Sequence, residues 1–458
     1  MTPQTILEET ERMLALCDQL QETHGCFTQI LYDSARKQAK RVAERISNNE
    51  QRSLAGLFVT VKDNVSVQEA SSRAGSSILD GYVAQYDATV VSRLKQQDAI
   101  VVALTSMDEF GFGSWNTNVG KGFSVPKNPV DTQKVAGGSS GGAAVATALL
   151  GSRHIAVAES TGGSIESPAA MCGVIGFCPT YGLLSRHGLI SYADSLDKIG
   201  LMAQKASDLR GPFAIMKGVD VRDQTSVSQE LLPSQSPPYK IGVLSYDESL
   251  VDPKVHLLFQ ETIEKLKRAG NTVVSVQMPS TLRFGVAAYY VLAMSEASTN
   301  LAMYCGLRYG AQADPEDISF TDYFSAVRTE HFGKEAKRRI LLGTFMRSEG
   351  YANKYYQKAA RVRTLIREEY QGVFDDVDVL LSPTLPCQTP TLAEAKTMKS
   401  TQAYSTDLFT VGPNLAGIPH ASIPMGTVHG MPVGALLSTQ HFGDDSLLSF
   451  IEYLEELL

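Results

Sequence analysis

The chain has 458 residues, of which 43% are hydrophobic and 20% are charged, a composition that is ordinary for a folded protein and excludes long disordered segments. Its formal net charge of −8 argues against a broad nucleic-acid-binding face, because neutralising phosphates requires clustered lysine and arginine. The six cysteines form neither a CxxC pair nor a grouping with histidine, so we expect buried, reduced thiols and no metal site.

The sequence offers no candidate for a membrane anchor. No apolar run approaches the roughly 20 residues that span a bilayer. The first residues carry neither the apolar core of a signal peptide nor the arginine-rich pattern of a transit peptide. We therefore expect no membrane insertion.

The N-terminal segment is expected to be a helical lead-in. Between residues 4 and 48, apolar side chains recur at helical spacing and predict two helices. The β-branched run Leu57 to Val61 then predicts a buried strand that ends at Lys62. A helix from Ala88 to Gln97 and a strand from Ala99 to Leu104 follow, an alternation typical of α/β proteins.

A glycine-rich segment opens the next predicted helix. Gly137 to Gly142 precedes the helix-favouring residues 143–150, which places Ser139 and Ser140 in a turn at a helix N-terminus. Further strands are predicted at Lys240 to Leu244, Thr272 to Gln277 and Val377 to Leu381.

The polar stretch Ser226 to Pro238 predicts a loop between two parts of the chain. The length allows two closely packed lobes or one large domain, and we expect one α/β domain that covers residues 1–458. Residues 1–50 form the lead-in and residues 51–225 the catalytic core. Residues 239–458 form a C-terminal part that completes the sheet and the substrate pocket.

Glycines frame Ser139, within residues 137–142, and Ser164, which follows Gly162 and Gly163. A serine attacks a carbonyl only when its proton is removed, and the developing oxyanion needs backbone N–H donors that side chains would crowd. This pattern predicts an acyl-transfer enzyme. A flexible linker and a phosphate-binding loop fit less well, because apolar helix residues follow and the lysine of a phosphate loop is missing. A G-x-S-x-G nucleophile elbow stays an alternative.

Six motifs resemble those of the amidase signature family, in order and over most of the chain. The resemblance implies an α/β amidase signature fold, with a large mixed β-sheet covered by helices on both faces. The motifs are Lys62-Asp63-Asn64, Met107-Asp108-Glu109-Phe110, Gly137 to Gly142, Thr161-Gly162-Gly163-Ser164-Ile165, Pro179-Thr180-Tyr181-Gly182 and Ser195-Leu196-Asp197.

The C-terminal half resembles, within that family, the A subunits of glutamyl-tRNA(Gln) amidotransferases. This resemblance implies a glutaminase that releases ammonia for the conversion of Glu-tRNA(Gln) to Gln-tRNA(Gln). The alternatives are a stand-alone amidase for small or fatty amides and a catalytically silent scaffold subunit. The similar segments are Tyr289-Tyr290, Ser295 to Ser298, Lys337 to Thr344, Lys358 to Ile366, Asp407 and Asn414 to Pro419.

The family resemblance implies a Ser-Ser-Lys triad, with Ser164 as nucleophile, Ser139 as proton relay and Lys62 as base. A hydroxyl can relay a proton because it donates and accepts at once, whereas a lysine is a base only when it is neutral. The apolar run before Lys62 is consistent with burial that favours the neutral amine. The resemblance also implies a cis peptide bond before Ser139. Oxyanion-hole donors are expected from the backbone of Thr161, Gly162 and Gly163.

For a glutamine substrate, the resemblance assigns Asp407 to the ammonium and Arg339 to the carboxylate, with Tyr289 lining the pocket. Arginine suits a carboxylate because its guanidinium donates two parallel hydrogen bonds. Arg338 is the adjacent alternative for this role.

The chain departs from the family pattern close to the predicted nucleophile. Glu166 stands where a basic residue is usual, and Ser160 where an acidic residue is usual. Ser139 and Ser164 are 25 positions apart, one more than usual. We expect rebuilt local geometry behind the nucleophile and an intact triad.

By the same resemblance, this chain binds no cofactor, and ATP and Mg²⁺ belong to a larger kinase and transamidase subunit. That partner also holds most of the tRNA, and a small third subunit clamps the pair. The expected compartment is the mitochondrial matrix or, alternatively, a bacterial cytoplasm.

Overall fold

One mixed sheet of eleven strands organises residues 2–313 and 319–458, the part of the chain that the computed structural model describes. The strands are β1 (Phe27–Ile30), β2 (Phe58–Lys62), β3 (Ile100–Thr105), β4 (His154–Ser160), β5 (Ile175–Cys178), β6 (Lys198–Ala203), β7 (Lys240–Leu244), β8 (Thr272–Val276), β9 (Val379–Pro383), β10 (His420–Val428) and β11 (Met431–Ser438). Their spatial order is β1-β3-β2-β4-β6-β5-β10-β11-β9-β7-β8.

The sheet combines two parallel groups with an antiparallel middle. Strand β2 lies between β3 and β4 and is parallel to both, and β7 lies between β8 and β9 in the same way. The strands between these groups pair antiparallel. Because β2 and β4 are parallel, their carboxyl ends, at Lys62 and Ser160, lie at the same end of the sheet.

Fifteen α-helices surround the sheet in the described residues. They are α1 (Pro3–His24), α2 (Tyr32–Ser47), α3 (Thr89–Gln96), α4 (Gly141–Leu150), α5 (Glu166–Cys172), α6 (Ser207–Met216), α7 (Pro253–Arg268), α8 (Pro279–Asn300), α9 (Phe320–His331), α10 (Lys334–Arg347), α11 (Tyr356–Phe374), α12 (Leu392–Thr397), α13 (Ser400–Ser405), α14 (Val411–Ala416) and α15 (Asp444–Leu457). Within this part of the chain, no helix has the length and apolar character needed to cross a bilayer.

The two faces of the sheet carry separate apolar clusters, because successive strand residues point to opposite faces. In β2, Val59 and Val61 join one cluster with Leu94 of α3. Phe58 joins the other cluster with Val145 of α4. Helices therefore cover both faces of the sheet, which confirms the fold that the motifs implied.

Most of the predicted elements are confirmed. Helices α1 to α4 and strands β2, β3, β7, β8 and β9 lie close to their predicted bounds, and the described structure has no helix or strand in the loop 226–238. Ile30 is one of the apolar residues between positions 4 and 48 that the spacing assigned to helices. That assignment was wrong, since Ile30 lies in β1, a four-residue strand too short to show a period. Strands β4 and β6 escaped prediction because they are buried on both faces and show no polar alternation.

Strands from both sides of the loop 226–238 share the sheet. Strand β5 pairs with β10, with Cys178 opposite His420. The first residue of α15, Asp444, accepts hydrogen bonds from the backbone N–H and the hydroxyl of Thr180, at 2.8 and 2.7 Å. The C-terminal part is therefore joined to the N-terminal part by backbone pairing and by buried polar contacts.

Removing a central aromatic side chain should test this core. Phe177 of β5 is fully buried and meets Phe213 of α6 edge to face, with ring centroids 5.2 Å apart. We expect Phe177→Ala to lower the free energy of unfolding by about 3–5 kcal/mol, measured by chemical denaturation. The exposed Leu257 provides the control, since Leu257→Ala should change that free energy by less than about 0.5 kcal/mol. Equal losses in the two variants would contradict the packing described here.

Candidate active site

Lys62 lies fully buried at the end of β2, and its ammonium nitrogen has three hydrogen-bond partners. Nζ donates to Ser139 Oγ at 2.8 Å, to the backbone carbonyl of Glu159 at 2.9 Å and to Glu159 Oε2 at 2.8 Å. The predicted contact between Lys62 and Ser139 is therefore present. The Glu159 carboxylate was not predicted, and an acidic group in contact with a lysine favours the ammonium form over the neutral amine expected from the sequence.

Asp63, the sequence neighbour of Lys62, binds the backbone of the loop that follows β2. Its carboxylate accepts hydrogen bonds from the backbone N–H groups of Gly75, at 3.1 Å, and Arg73, at 3.3 Å. Asp63 thereby fixes the loop that follows β2. Lys62 forms its ion pair with Glu159, 97 positions along the chain, and not with its sequence neighbour.

Tight packing positions Ser139. The peptide bond between Gly138 and Ser139 is cis, as the resemblance implied, and α4 begins two residues later at Gly141. A side chain at position 138 would collide with the Asp108 carboxylate. Asp108 accepts hydrogen bonds from the backbone N–H groups of Asn116 and Asn118, at 2.9 and 2.8 Å, and its burial raises its pKa to about 6.

Ser164 lies in the turn between β4 and α5. It is 8% exposed, whereas Lys62 and Ser139 are fully buried, so Ser164 is the most accessible of the three predicted triad residues. Among the described residues, no hydrogen bond joins the hydroxyls of Ser139 and Ser164, a contact of the kind that often tightens only in a substrate complex. The structure thus joins two triad members directly, and the relay step from Ser164 stays a prediction.

The glycines of this turn pack closely against neighbouring elements. A side chain on Gly162 would collide with the ring of Tyr289, and the Gly162 carbonyl accepts a hydrogen bond from Thr410 Oγ1 at 2.7 Å. The N–H of Gly163 donates to Ser160 Oγ at 3.1 Å. One of the predicted oxyanion-hole donors therefore already has an acceptor, and the oxyanion-hole assignment stays a prediction.

Two buried acidic groups, Glu159 and Asp197, extend the hydrogen-bond network of Lys62. The Thr161 hydroxyl lies 2.6 Å from Glu159 Oε1 and 2.9 Å from Asp197 Oδ1, yet it has a single proton to donate. Burial, followed by the charge of Glu159, raises the pKa of Asp197 to about 8. The raised pKa predicts a protonated Asp197 at neutral pH, which would donate to Thr161 while Thr161 donates to Glu159. The backbone N–H groups of Tyr192 and Ala193 also donate to this carboxyl and favour its ionised form.

The predicted substrate residues Asp407 and Arg339 both contact Tyr290. The Tyr290 hydroxyl donates to Asp407 Oδ2 at 2.6 Å, and the Arg339 guanidinium lies 5.3 Å from the centre of the Tyr290 ring. Burial raises the pKa of Asp407 to about 7, and a substrate ammonium beside it would favour the ionised carboxylate. Tyr289, the pocket residue predicted from the sequence, packs on the Gly162 turn.

The two adjacent arginines differ sharply in their surroundings. The Arg339 side chain is 3% exposed, donates to Tyr192 Oη at 2.7 Å and to Glu335 Oε1 at 3.0 Å, and helps to line a cavity of about 180 Å³. The Arg338 side chain is 36% exposed and pairs with Glu335 and Ser400. A cavity of this size suits a ligand smaller than the drug-sized molecules that occupy about 300–1,000 Å³.

Ser160 and Glu166, the two departures from the family pattern, contact each other behind the nucleophile. Ser160 Oγ donates to Glu166 Oε2 at 3.0 Å, and Glu166 Oε1 lies 2.9 Å from His420 Nε2. Lys198 adds a buried positive charge, with Nζ 3.3 Å from His420 Nδ1. The altered local geometry expected behind the nucleophile is therefore a buried polar network.

Sequence spacing did not predict that Glu166, Cys178 and His420 converge, with candidate ligand atoms within 4.8 Å of one another. Cys178 is one of four buried free cysteines, and the other two are partly buried. Because Ser160 donates a hydrogen bond to Glu166, and His420 and Lys198 lie close to its buried carboxylate, we interpret this cluster as a structural network.

The protonated state of Asp197 should be visible in the pH dependence of stability. Between its ordinary pKa of 3.8 and its raised pKa of about 8, the folded protein holds a proton that the unfolded chain has lost, so this stabilisation falls as the pH rises. We expect the thermal midpoint to fall between about pH 5 and about pH 8, and to fall less in Asp197→Asn. The exposed Asp376 is the control, because Asp376→Asn should keep the wild-type dependence. An unchanged dependence in Asp197→Asn would show that this carboxyl is ionised.

Comparison with known proteins agrees with this geometry. A family model described as Amidase matches residues 8–448. The A subunit of the glutamyl-tRNA(Gln) amidotransferase of Persephonella marina is 40% identical over 437 residues, which cover 93% of this chain and 88% of that protein. The corresponding protein of Archaeoglobus fulgidus, also a glutamyl-tRNA(Gln) amidotransferase A subunit, is 41% identical over 424 residues, which cover 92% of this chain and 90% of that protein.

Solved structures show the same fold. The A subunit of the glutamyl-tRNA(Gln) amidotransferase from Thermotoga maritima is 29% identical, with a TM-score of 0.77 over 98% of this chain and 93% of that chain. A crystal structure described as an amidase is 26% identical, with a TM-score of 0.82 over 100% of this chain and 96% of that chain. The chain, with its buried lysine bonded to a serine beside a Thr-Gly-Gly-Ser turn, belongs to the amidase signature family.

Proposed function

We propose that this chain is the glutaminase subunit of a tRNA-dependent amidotransferase that converts Glu-tRNA(Gln) to Gln-tRNA(Gln). The contact between Lys62 and Ser139, at 2.8 Å in a site closed to water, carries the proposal for amide cleavage. The relatives that are A subunits of such enzymes, at about 40% identity over more than nine-tenths of the chain, support the narrower function. The contact and the relatives together support amidotransferase chemistry with glutamine as the amide donor.

In the proposed reaction, Ser164 attacks the side-chain amide of glutamine while its proton passes to Ser139 and on towards Lys62. Backbone N–H groups of the turn that precedes Ser164 stabilise the oxyanion. The acyl-enzyme forms as ammonia leaves, and water then releases glutamate and regenerates Ser164. Each step uses groups of this chain and needs no cofactor here.

The charged ends of glutamine are proposed to bind at Asp407 and Arg339. Both side chains are buried beside Tyr290, so a zwitterion between them would meet one carboxylate and one guanidinium with little competition from water. A stand-alone amidase for small or fatty amides is supported by the likeness to a solved amidase structure. Such an enzyme would have no need for this pair of opposite charges.

The assembly is proposed to contain a larger subunit that holds ATP, Mg²⁺ and most of the tRNA, and a small clamping subunit. The names of the relatives, which describe one subunit of an amidotransferase, support partners in general. The net charge of −8 supports a partner as the main tRNA-binding surface. We propose the mitochondrial matrix or a bacterial cytoplasm as its compartment.

Ammonia release from glutamine tests the reaction. We expect Ser164→Ala to reduce glutaminase turnover by at least about 1,000-fold, because the nucleophile is lost. Ser167 is the matched control, since its buried hydroxyl has no hydrogen-bond partner in the described structure and Ser167→Ala should keep turnover. The assay uses the full chain alone and co-expressed with partner subunits. Turnover of simple amides but not glutamine would favour a stand-alone amidase, and the absence of any acyl-enzyme at Ser164 would favour a scaffold.

The adjacent arginines give a matched pair for the substrate carboxylate. We expect Arg339→Lys to raise the KM for glutamine at least about tenfold, because a hydrogen bond between charged groups contributes about 1.5–3 kcal/mol. Arg338→Lys should leave KM close to wild type, since Arg338 lies outside the aromatic surroundings of Arg339. The reverse result would move the carboxylate site to Arg338.

A further inference from the structure

Glu159 is the buried acidic group whose position the proposed reaction leaves unexplained. It is 1% exposed and lies near the end of β4, beside the parallel strand that ends at Lys62. Its Oε2 atom accepts hydrogen bonds from Lys62 Nζ at 2.8 Å and from Asn64 Nδ2 at 3.1 Å. Its Oε1 atom accepts a hydrogen bond from the Thr161 hydroxyl at 2.6 Å. Both carboxylate oxygens therefore face proton donors.

The contacts of Lys62 limit how it can act as a base. A lysine ammonium has three protons and no lone pair, and Nζ has three acceptors within 2.9 Å. In this arrangement Lys62 can take a proton from Ser139 only if it releases one of its own. Of its three acceptors, a serine hydroxyl, a peptide carbonyl and the Glu159 carboxylate, only the carboxylate is basic enough to keep a proton.

We propose that Glu159 is the terminal proton acceptor of the relay and acts through Lys62. This inference rests on the proposed glutaminase function. As Ser164 bonds to the amide carbon, its proton passes to Ser139. The proton of Ser139 passes to Lys62 Nζ, and a proton of Nζ passes to Glu159 Oε2. The step leaves a neutral Glu159 and a charged Lys62. When the carbon–nitrogen bond breaks, the proton returns along the same path to the leaving nitrogen, which departs as ammonia.

The surrounding charges are consistent with this role. Asp197 faces Glu159 through Thr161, and burial together with the charge of Glu159 raises its pKa to about 8, which favours its neutral form. Asp63 and Asp108 are further acidic groups close to Lys62, and both accept hydrogen bonds from backbone N–H groups. In the described part of the chain, Glu159 is therefore the carboxylate that contacts the lysine.

Glu159→Gln tests the inference, because it keeps the size of the side chain and one accepting oxygen but cannot accept the proton. Near neutral pH we expect kcat for glutamine to fall at least about 100-fold with little change in KM. Activity should recover as the pH rises, because a Lys62 that has lost a proton can accept the proton of Ser139 itself. Glu159→Asp, which restores a carboxylate, should recover part of the neutral-pH activity.

A matched control separates proton acceptance from general disturbance of the core. Asp444 is equally buried and accepts hydrogen bonds from Thr180, far along the chain from Lys62. Asp444→Asn should therefore keep the wild-type kcat and pH profile. Thermal unfolding establishes which variants are folded. An unchanged kcat and pH profile in Glu159→Gln would overturn the inference.

Two further measurements extend the test: the first does not use that variant, and the second does not use glutamine. The wild-type rate should stay high below neutral pH, and a tenfold rise per pH unit from about pH 6 to about pH 9 would instead show a neutral lysine base and overturn the inference. Covalent labelling of Ser164 by a fluorophosphonate should slow in Glu159→Gln and recover at high pH. Fast labelling of the wild type without glutamine turnover would reject the proposed substrate but leave the proton-acceptor role supported by the labelling rates.

Discussion

The buried ion pair of Lys62 and Glu159 is the constraint on which the site depends. Two opposite charges removed from water are tolerated only when their geometry is good and their remaining donors and acceptors are satisfied. The parallel pairing of β2 and β4 brings the two residues together, and Ser139, Asn64 and Thr161 complete their hydrogen bonds. The pairing of two strands thus positions the lysine that binds the Ser139 hydroxyl.

Local sequence patterns predicted the parts of this arrangement that depend only on residues close together in the chain. The β-branched run before Lys62 and the small residues after Gly142 specify a strand and a helix, so Lys62 and Ser139 were placed correctly. Glu159 could not be paired with Lys62, because 97 positions separate them and only the sheet brings them together. An acid at the end of the buried run Ile155 to Ala158 was the available signal, but that strand shows no polar alternation.

The same reasoning explains why the region behind the nucleophile could be recognised as unusual but not described. Ser160 and Glu166 are six positions apart and contact each other directly. Their remaining partner, His420, comes from the distant strand β10, and Lys198 comes from β6. A buried carboxylate requires such donors, so the sequence predicts that partners exist while the fold decides which residues they are. Ile30 was wrongly assigned to a helix for a similar reason, because its strand pairs with β3, where Ala103 lies opposite it.

The continuity of the sheet across the loop 226–238 has a consequence for how the protein behaves when its chain is cut. A protease that cleaves this mostly exposed loop would leave two fragments joined by the pairing of β5 with β10 and by the contact of Asp444 with Thr180. Nicked protein should therefore stay associated rather than separate. The two fragments share one rigid layer, so substrate entry relies on side chains and loops around the cavity instead of hinge bending between halves.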